Sequence, residues 1–215
     1  QEVFSVSLLN KKFYQELSNW YFWATQHVTF PGEPTITDTY YKKAKLEDLL
    51  QEHKATNVIR MLTRLLFVWF IKEKKLIPEE LFDLDDLQKD ILNEISPYHE
   101  VGSMFSERNK QSIYYKAILQ NLFFATLNCP IKADSSDNRN RRFRGEGYGT
   151  HRGIDYLMRY KQYFKNPDAF LEKLNQTVPF LNGGLFECLD DKFNKSYIDG
   201  FSDQMPKGEQ LIVPD

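Results

Sequence analysis

Between Leu8 and Val28 the apolar residues Leu9, Phe13, Leu17, Trp20, Tyr21, Ala24 and Val28 recur mainly at steps of three and four, which places them on one stripe of a helix. Pro31, Gly32 and Pro34 predict its end, because proline removes a backbone donor and turns the residue before it away from the helical region. A loop to about Lys45 is expected next. From Thr56 to Lys75, Val58, Ile59, Met61, Leu62 and the run Leu65 to Ile71 cover nearly every face of a helix, the pattern of a segment at the buried centre of a domain. Lys72, Lys74 and Lys75 suit the negative end of its dipole, and Pro78 prevents its continuation. The stretch Pro78 to Phe82 suits the first turn of a short new helix.

Asp83 to Ile95 carries Leu84, Leu87, Ile91, Leu92 and Ile95 among acids and lysines, which predicts an amphipathic surface helix. Ser112 to Leu127 repeats the pattern with Ile113, Tyr114, Ala117, Ile118, Asn121, Leu122 and Ala125, and adds Tyr115, Leu119 and Phe123 beside that stripe. Asp134 to Gly153 is built of Asp, Ser, Asn, Arg and Gly with almost no aliphatic residues, so a long exposed loop is expected. Tyr156 to Tyr163, Pro167 to Asn175 and Leu181 to Leu189 read as short helical or turn segments, and Gln210 to Val213 as the one candidate strand. The predicted fold is mainly α: a multi-helix domain over residues 1–215, with a central buried helix and a long basic loop, any sub-boundary falling at 130–153.

Composition narrows the function classes. The chain is 41% hydrophobic with 17 Phe, 12 Tyr and 3 Trp, enough for a sizeable core. A net charge of −2 lacks the broad positive field of a dedicated nucleic-acid binder and leaves only a local basic patch for that role. Cys129 and Cys188 have neither zinc-ligand nor disulfide-framework spacing. The most apolar window, Val58 to Ile71, is interrupted by Arg60 and Arg64 and too short to span a bilayer, and no signal peptide opens the chain; a cytoplasmic protein without membrane contact is expected. Gln1 in place of an initiator methionine, and the apolar stretch Leu211 to Asp215, lead to the expectation that the chain belongs to a longer one.

The basic loop is the candidate binding site. Arg139, Arg141, Arg142, Arg144 and Arg152 are interleaved with Phe143, Tyr148 and His151, and the guanidinium fork and plane suit phosphates and bases. The competing reading is a solvated loop whose arginines pair with acids on neighbouring helices. Arg60 and Arg64, four apart on the apolar helix, are expected to find internal acid partners, with a phosphate site as the lesser alternative. The glycine pair in Pro179 to Phe186 is expected to make a turn that packs Phe180, Leu185 and Phe186 into the core, with a phosphate-facing nest as the lesser alternative. His27, His53, His99 and His151 lack metal-ligand spacing, Glu73-Lys74-Lys75 and Glu172-Lys173 do not make a nuclease site, and no Gly-x-Gly-x-x-Gly or P-loop occurs. No catalytic residue, metal or cofactor is therefore assigned to the chain itself.

Four segments together carry a resemblance: Phe13 to Ala24 (Phe-Tyr-Gln-Glu-Leu-Ser-Asn-Trp-Tyr-Phe-Trp-Ala), Asn57 to Phe70 (Asn-Val-Ile-Arg-Met-Leu-Thr-Arg-Leu-Leu-Phe-Val-Trp-Phe), Tyr114 to Asn128 (Tyr-Tyr-Lys-Ala-Ile-Leu-Gln-Asn-Leu-Phe-Phe-Ala-Thr-Leu-Asn) and Pro179 to Glu187 (Pro-Phe-Leu-Asn-Gly-Gly-Leu-Phe-Glu). In that order they resemble the helical region preceding the methyltransferase domain of large bacterial type II, IIG-like restriction-modification enzymes, which join nuclease and adenine-methylating activities in one chain. The methylating domain of that family binds S-adenosylmethionine at a glycine-containing turn and holds a flipped adenine with an Asn-Pro-Pro-Tyr motif. Asn166-Pro167-Asp168 departs from that motif at its third position, and Asn182-Gly183-Gly184 is not the cofactor turn, so no family catalytic residue carries over. The resemblance implies a connector whose partners are the adjacent nuclease and methyltransferase domains and, through the arginine loop, DNA; the cofactor belongs to the parent enzyme. The alternatives are a stand-alone helical adaptor using Trp20, Trp23 or Trp69 as an exposed patch, and an independent nuclease, which needs an acid cluster.

Overall fold

A computed structural model describes residues 2–95, 112–127, 160–181, 185–186, 189–191, 196–198, 201 and 211–215, and over them the chain is mainly helical. Helix α1 spans Glu2–His27, α2 Ile36–Lys42 and α3 Leu46–Glu73. The second lies where a loop was expected. Its start is held by Asp38, whose carboxylate accepts from the backbone N–H of Thr35 at 2.7 Å and from Thr35 Oγ1 at 2.9 Å. This Thr-x-x-Asp reciprocity satisfies donors at the helix entrance, and Lys43 in the left-handed region closes the far end. The third helix starts well before Thr56 and ends in a Schellman turn. Lys75 takes φ 59°, its N–H donates to Lys72 O at 2.7 Å, and the Leu76 N–H returns to Ile71 O at 3.2 Å.

Pro78 precedes a 3-10 turn, Glu79–Phe82, as its residue type predicts. Asp83 caps α4, Leu84–Asp86, by accepting from the Asp86 N–H at 3.0 Å, and the chain widens into a π turn over Leu87–Ile91. The amphipathic helix expected to reach Ile95 stops here. Leu92 turns extended and pairs with Phe164, the Asn93 N–H donates to Tyr163 O at 2.8 Å, and the Lys165 N–H to Ile91 O at 2.9 Å. Tertiary hydrogen bonds thus take the place of one further helical turn, while Leu87 and Leu92 still reach the core. A 3-10 turn at Lys161–Tyr163 leads to α5, Pro167–Thr177, whose Asn166 cap accepts from the Ala169 N–H at 3.1 Å and whose Pro167 stands in the first turn. Two strands too short to show an alternating pattern, β1 Leu189–Asp191 and β2 Ser196–Ile198, form an antiparallel hairpin with Asp190 opposite Tyr197.

Residues 112–127 run through the core as a helix that is π-wound over Tyr114–Leu119 and Asn121–Leu127. Ile113, Tyr115, Ala117, Ile118, Leu119, Leu122, Phe123, Phe124 and Leu127 are all buried, together with Gln120, Asn121 and Thr126. The Leu181 N–H caps Leu127 O at 2.8 Å. This segment occupies the surrounded position that composition suggested for α3. Burial of α3 follows one side, with Val58, Met61, Leu62, Val68 and Ile71 in the core, whereas Ile59, Trp69 and Phe70 stay exposed. Its neighbours cover only that side. The expected strand at 210–213 appears as a bridge between Ile212 and Thr29, which exchange hydrogen bonds of 3.0 Å in both directions. Among the described residues no helix is long and apolar enough to cross a membrane.

Candidate functional site

Arg139, Arg141, Arg142, Arg144 and Arg152 lie outside the described residues, as do Cys129, Cys188, His99, His151 and the glycine pair Gly183-Gly184. Around the glycines the packing is described. Phe186 is buried and stacks on Phe123 with centroids 5.3 Å apart, its ring also meets Phe67 at 5.8 Å, and Leu185 packs against the same core. Phe180, expected beside them, is only half-buried. Among the described residues no three His, Cys, Asp or Glu side chains gather as metal ligands would. Asn166 and Pro167, the nearest approach to the family's base-holding motif, serve as a helix cap, since the Asn166 side-chain oxygen is engaged by Ala169. They do not fit a site for methyl donor and base.

Arg60 and Arg64 do come together, around one aromatic ring. The guanidinium carbon of Arg64 lies 4.2 Å from the ring centroid of Phe201, and that of Arg60 lies 4.8 Å from it. Phe123 and Phe124 approach Arg64 at 5.7 and 5.9 Å, and its Nε donates to Leu185 O at 2.9 Å. Arg64 is 2% exposed. Its contacts include a backbone carbonyl and three π faces. Arg60 donates to Asn57 Oδ1 at 3.0 Å, and Asn57 donates in turn to His53 O at 3.0 Å. Burial lowers the His53 imidazole below its ordinary range, with smaller opposing contributions from the Pro31 backbone and Glu33. Geometrically this cluster is a structural tie between α3 and the segments at 185–186 and 201.

The face of α1 and α3 away from that tie is apolar and open. Phe13, Leu17 and Trp20 of α1 meet Leu62, Leu65, Leu66 and Trp69 of α3 along a groove of about 260 Å³. Trp20 is 45% and Trp69 53% exposed. An apolar groove of this kind, with Glu16 at its edge, is a candidate contact surface. Trp20, Leu65 and Trp69 also line a cavity of about 580 Å³, together with residues that include Tyr114, Tyr115, Leu119, Val213, Pro214 and Asp215.

Asp215 is the functional-looking residue that sequence reasoning missed. Its Oδ1 accepts from the Tyr114 N–H at 2.7 Å, which makes it a tertiary cap for the helix at 112–127, and Ser112 Oγ accepts from the Val213 N–H at 3.0 Å. Its other oxygen, Oδ2, is buried with no hydrogen-bond partner among the described residues. Burial pushes the carboxyl up to about 6, against the backbone N–H groups of Tyr114 and Ile113 and the charge of Lys116. The cap spans 101 residues, so no local pattern announces it. Comparison of the chain with protein-family models, with curated proteins and with solved structures gives no match.

Proposed function

We propose that this chain is a non-catalytic helical segment of a bacterial restriction-modification enzyme, an adenine-N6 DNA methyltransferase alone or joined to a nuclease. It holds the catalytic domains at a fixed separation and meets the DNA backbone through Arg139, Arg141, Arg142, Arg144 and Arg152. S-adenosylmethionine belongs to the methyltransferase domain of the parent enzyme. The observation that carries the reading is that the four segments of the resemblance contribute to one core through Ala24, Val58, Met61, Ile118, Phe123 and Phe186, while α1 and α3 leave Trp20, Trp69 and Phe70 in solvent. A scaffold with a rigid interior and an unfilled apolar face is what a connector between domains requires.

Reading the source gene beyond Asp215 tests this directly: a glycine-containing cofactor turn and an Asn-Pro-Pro-Tyr motif in the same frame are expected, and a stop near Asp215 overturns the proposal. The DNA role has its own test. Replacing Arg139, Arg141, Arg142 and Arg144 by alanine is expected to lower the salt dependence of duplex binding by roughly 0.9 per lost phosphate contact. An unchanged affinity and slope removes that role. The exposure of Trp20 and Trp69 equally favours a second reading, a helical adaptor that binds another protein through the same face. A frame that ends near Asp215, together with strong binding of a hydrophobic dye by the monomer, selects it.

A further inference from the structure

The groove between α1 and α3 is constructed alike on its two sides. Phe13, Glu16, Leu17 and Trp20 line it from α1, and Leu62, Leu65, Leu66 and Trp69 from α3. Each set steps by three, one and three residues, the spacing of a single helical stripe, so the groove follows both helices lengthwise for about two turns, roughly 10 Å. Its volume of about 260 Å³ lies below the roughly 300–1,000 Å³ of small-molecule sites. Helical walls also satisfy their backbone groups internally and present no edge to which a strand could add. The shape that fills a lengthwise groove between two helices is the ridge of side chains on a third. Glu16 is the only ionisable residue among those that line the groove, and it is exposed and makes no ion pair among the described residues. A lone carboxylate on an apolar stripe selects a cation at the matching place on whatever lies there.

We propose that this groove receives an amphipathic α-helix of a partner polypeptide, with apolar anchors at i, i+3 or i+4, and i+7 and a Lys or Arg beside them that donates to the Glu16 carboxylate. The proposal rests on the reading of α1 and α3 as a contact face and deepens it by naming the chemistry of what fills that face. Phe13, Trp20, Leu66 and Trp69 are the exposed apolar side chains of the groove, and the two indoles are the anchors on this side of the contact. Because Trp20, Leu65 and Trp69 also line the larger cavity, the groove admits a bulkier partner side chain, Phe or Met, beside them.

Three dye-labelled, end-blocked peptides of about eighteen residues, long enough to hold a helix, serve as probes of the whole chain by fluorescence anisotropy. The first carries leucines at the anchor positions on an Ala and Gln background with flanking lysines, the second has Glu in place of those lysines, and the third is the first with Pro at its centre. The lysine peptide is expected to bind saturably and to gain helical circular dichroism on binding. The glutamate peptide is expected to bind about five-fold more weakly, and the proline peptide about ten-fold or more. Leu66→Glu, at an exposed position of the groove, is expected to weaken the lysine peptide about ten-fold or more, whereas Tyr40→Ala, an exposed aromatic outside it, leaves binding unchanged. Glu16→Lys is expected to reverse the preference between the lysine and glutamate peptides. If no peptide binds saturably, if the proline peptide matches its parent, or if Glu16→Lys leaves the preference as it was, the proposal is overturned. A dimer in sedimentation that Leu66→Glu dissociates makes a second copy the occupant and overturns it equally. Should a variant fail to fold, the comparison of the three peptides on the wild type decides by the same criteria. The reading frame beyond Asp215 bears on none of these outcomes, so the parent enzyme and the occupant of the groove stand or fall separately.

Discussion

Phe186 joins the fourth segment of the resemblance to the third, and its removal measures how firmly they are bound together. The ring is buried, stacks on Phe123 at 5.3 Å with a 27° tilt, and meets Phe67 at 5.8 Å. Phe186→Ala removes the transfer free energy of a buried ring and leaves a void among Phe123, Phe67 and their neighbours, a loss of roughly 3–5 kcal/mol. Against a domain stability of roughly 5–15 kcal/mol this is a large share. At roughly 2–4 °C per kcal/mol for a chain of this size, the melting temperature is expected to drop by about 6–20 °C. Urea unfolding followed by circular dichroism gives the free energy directly. Phe22→Ala, on an exposed position of α1, is the control and is expected to stay within about 0.5 kcal/mol of wild type. A double-mutant cycle with Phe123→Leu and Phe186→Leu is expected to show a coupling of about 0.5–1.5 kcal/mol from the stacked pair. If Phe186→Ala costs no more than Phe22→Ala, the segment at 185–186 is not part of the core and the convergence argument fails.

Arg64→Lys keeps the charge but loses the Nε donor to Leu185 O and the plane that lies on Phe201, so a loss of roughly 1.5–3 kcal/mol in urea unfolding is expected; a neutral result would contradict the contacts described. For Asp215 the folded carboxyl, held up to about 6, lies above its ordinary 3.8. Its contribution to stability is fully present below 3.8 and is lost as pH rises through about 6. Asp215→Asn is therefore expected to gain on the order of 1–2 kcal/mol over wild type at pH 7, after discounting for solvent screening, and to show little difference near pH 4. Melting curves across that range check it, and a gain of equal size at both pH values would refute the burial argument.

Much of the helical framework was legible because its causes are local. The three- and four-residue steps of α1, and Asn166-Pro167 at the start of α5, act within one or two turns. The short helix α2 carried a readable signal in Thr35 and Asp38, but its lack of buried residues left no hydrophobic pattern to draw attention to it. Depth was harder to read. Both α3 and residues 112–127 are apolar around most of their circumference, and only the placement of neighbours determines which is enclosed. Winding into a π-helix changes which carbonyl each N–H reaches without demanding a distinctive composition, so it leaves no periodic trace at this length. At the candidate site the same division holds. Trp20 and Trp69 were visible as aromatics that could form a patch, whereas the arrival of Asp215 beside Tyr114 depends on the whole domain being folded.

That arrival has a consequence for how the protein is made. Ile212 pairs with Thr29 just after α1, and Val213 and Asp215 secure Ser112 and Tyr114 at the entrance of the buried helix. Residues 212–215 are therefore a clasp holding together regions that leave the ribosome much earlier. Until the clasp emerges, the N-terminal helices must wait with part of their aromatic surface uncovered, the condition in which nascent chains aggregate or engage chaperones.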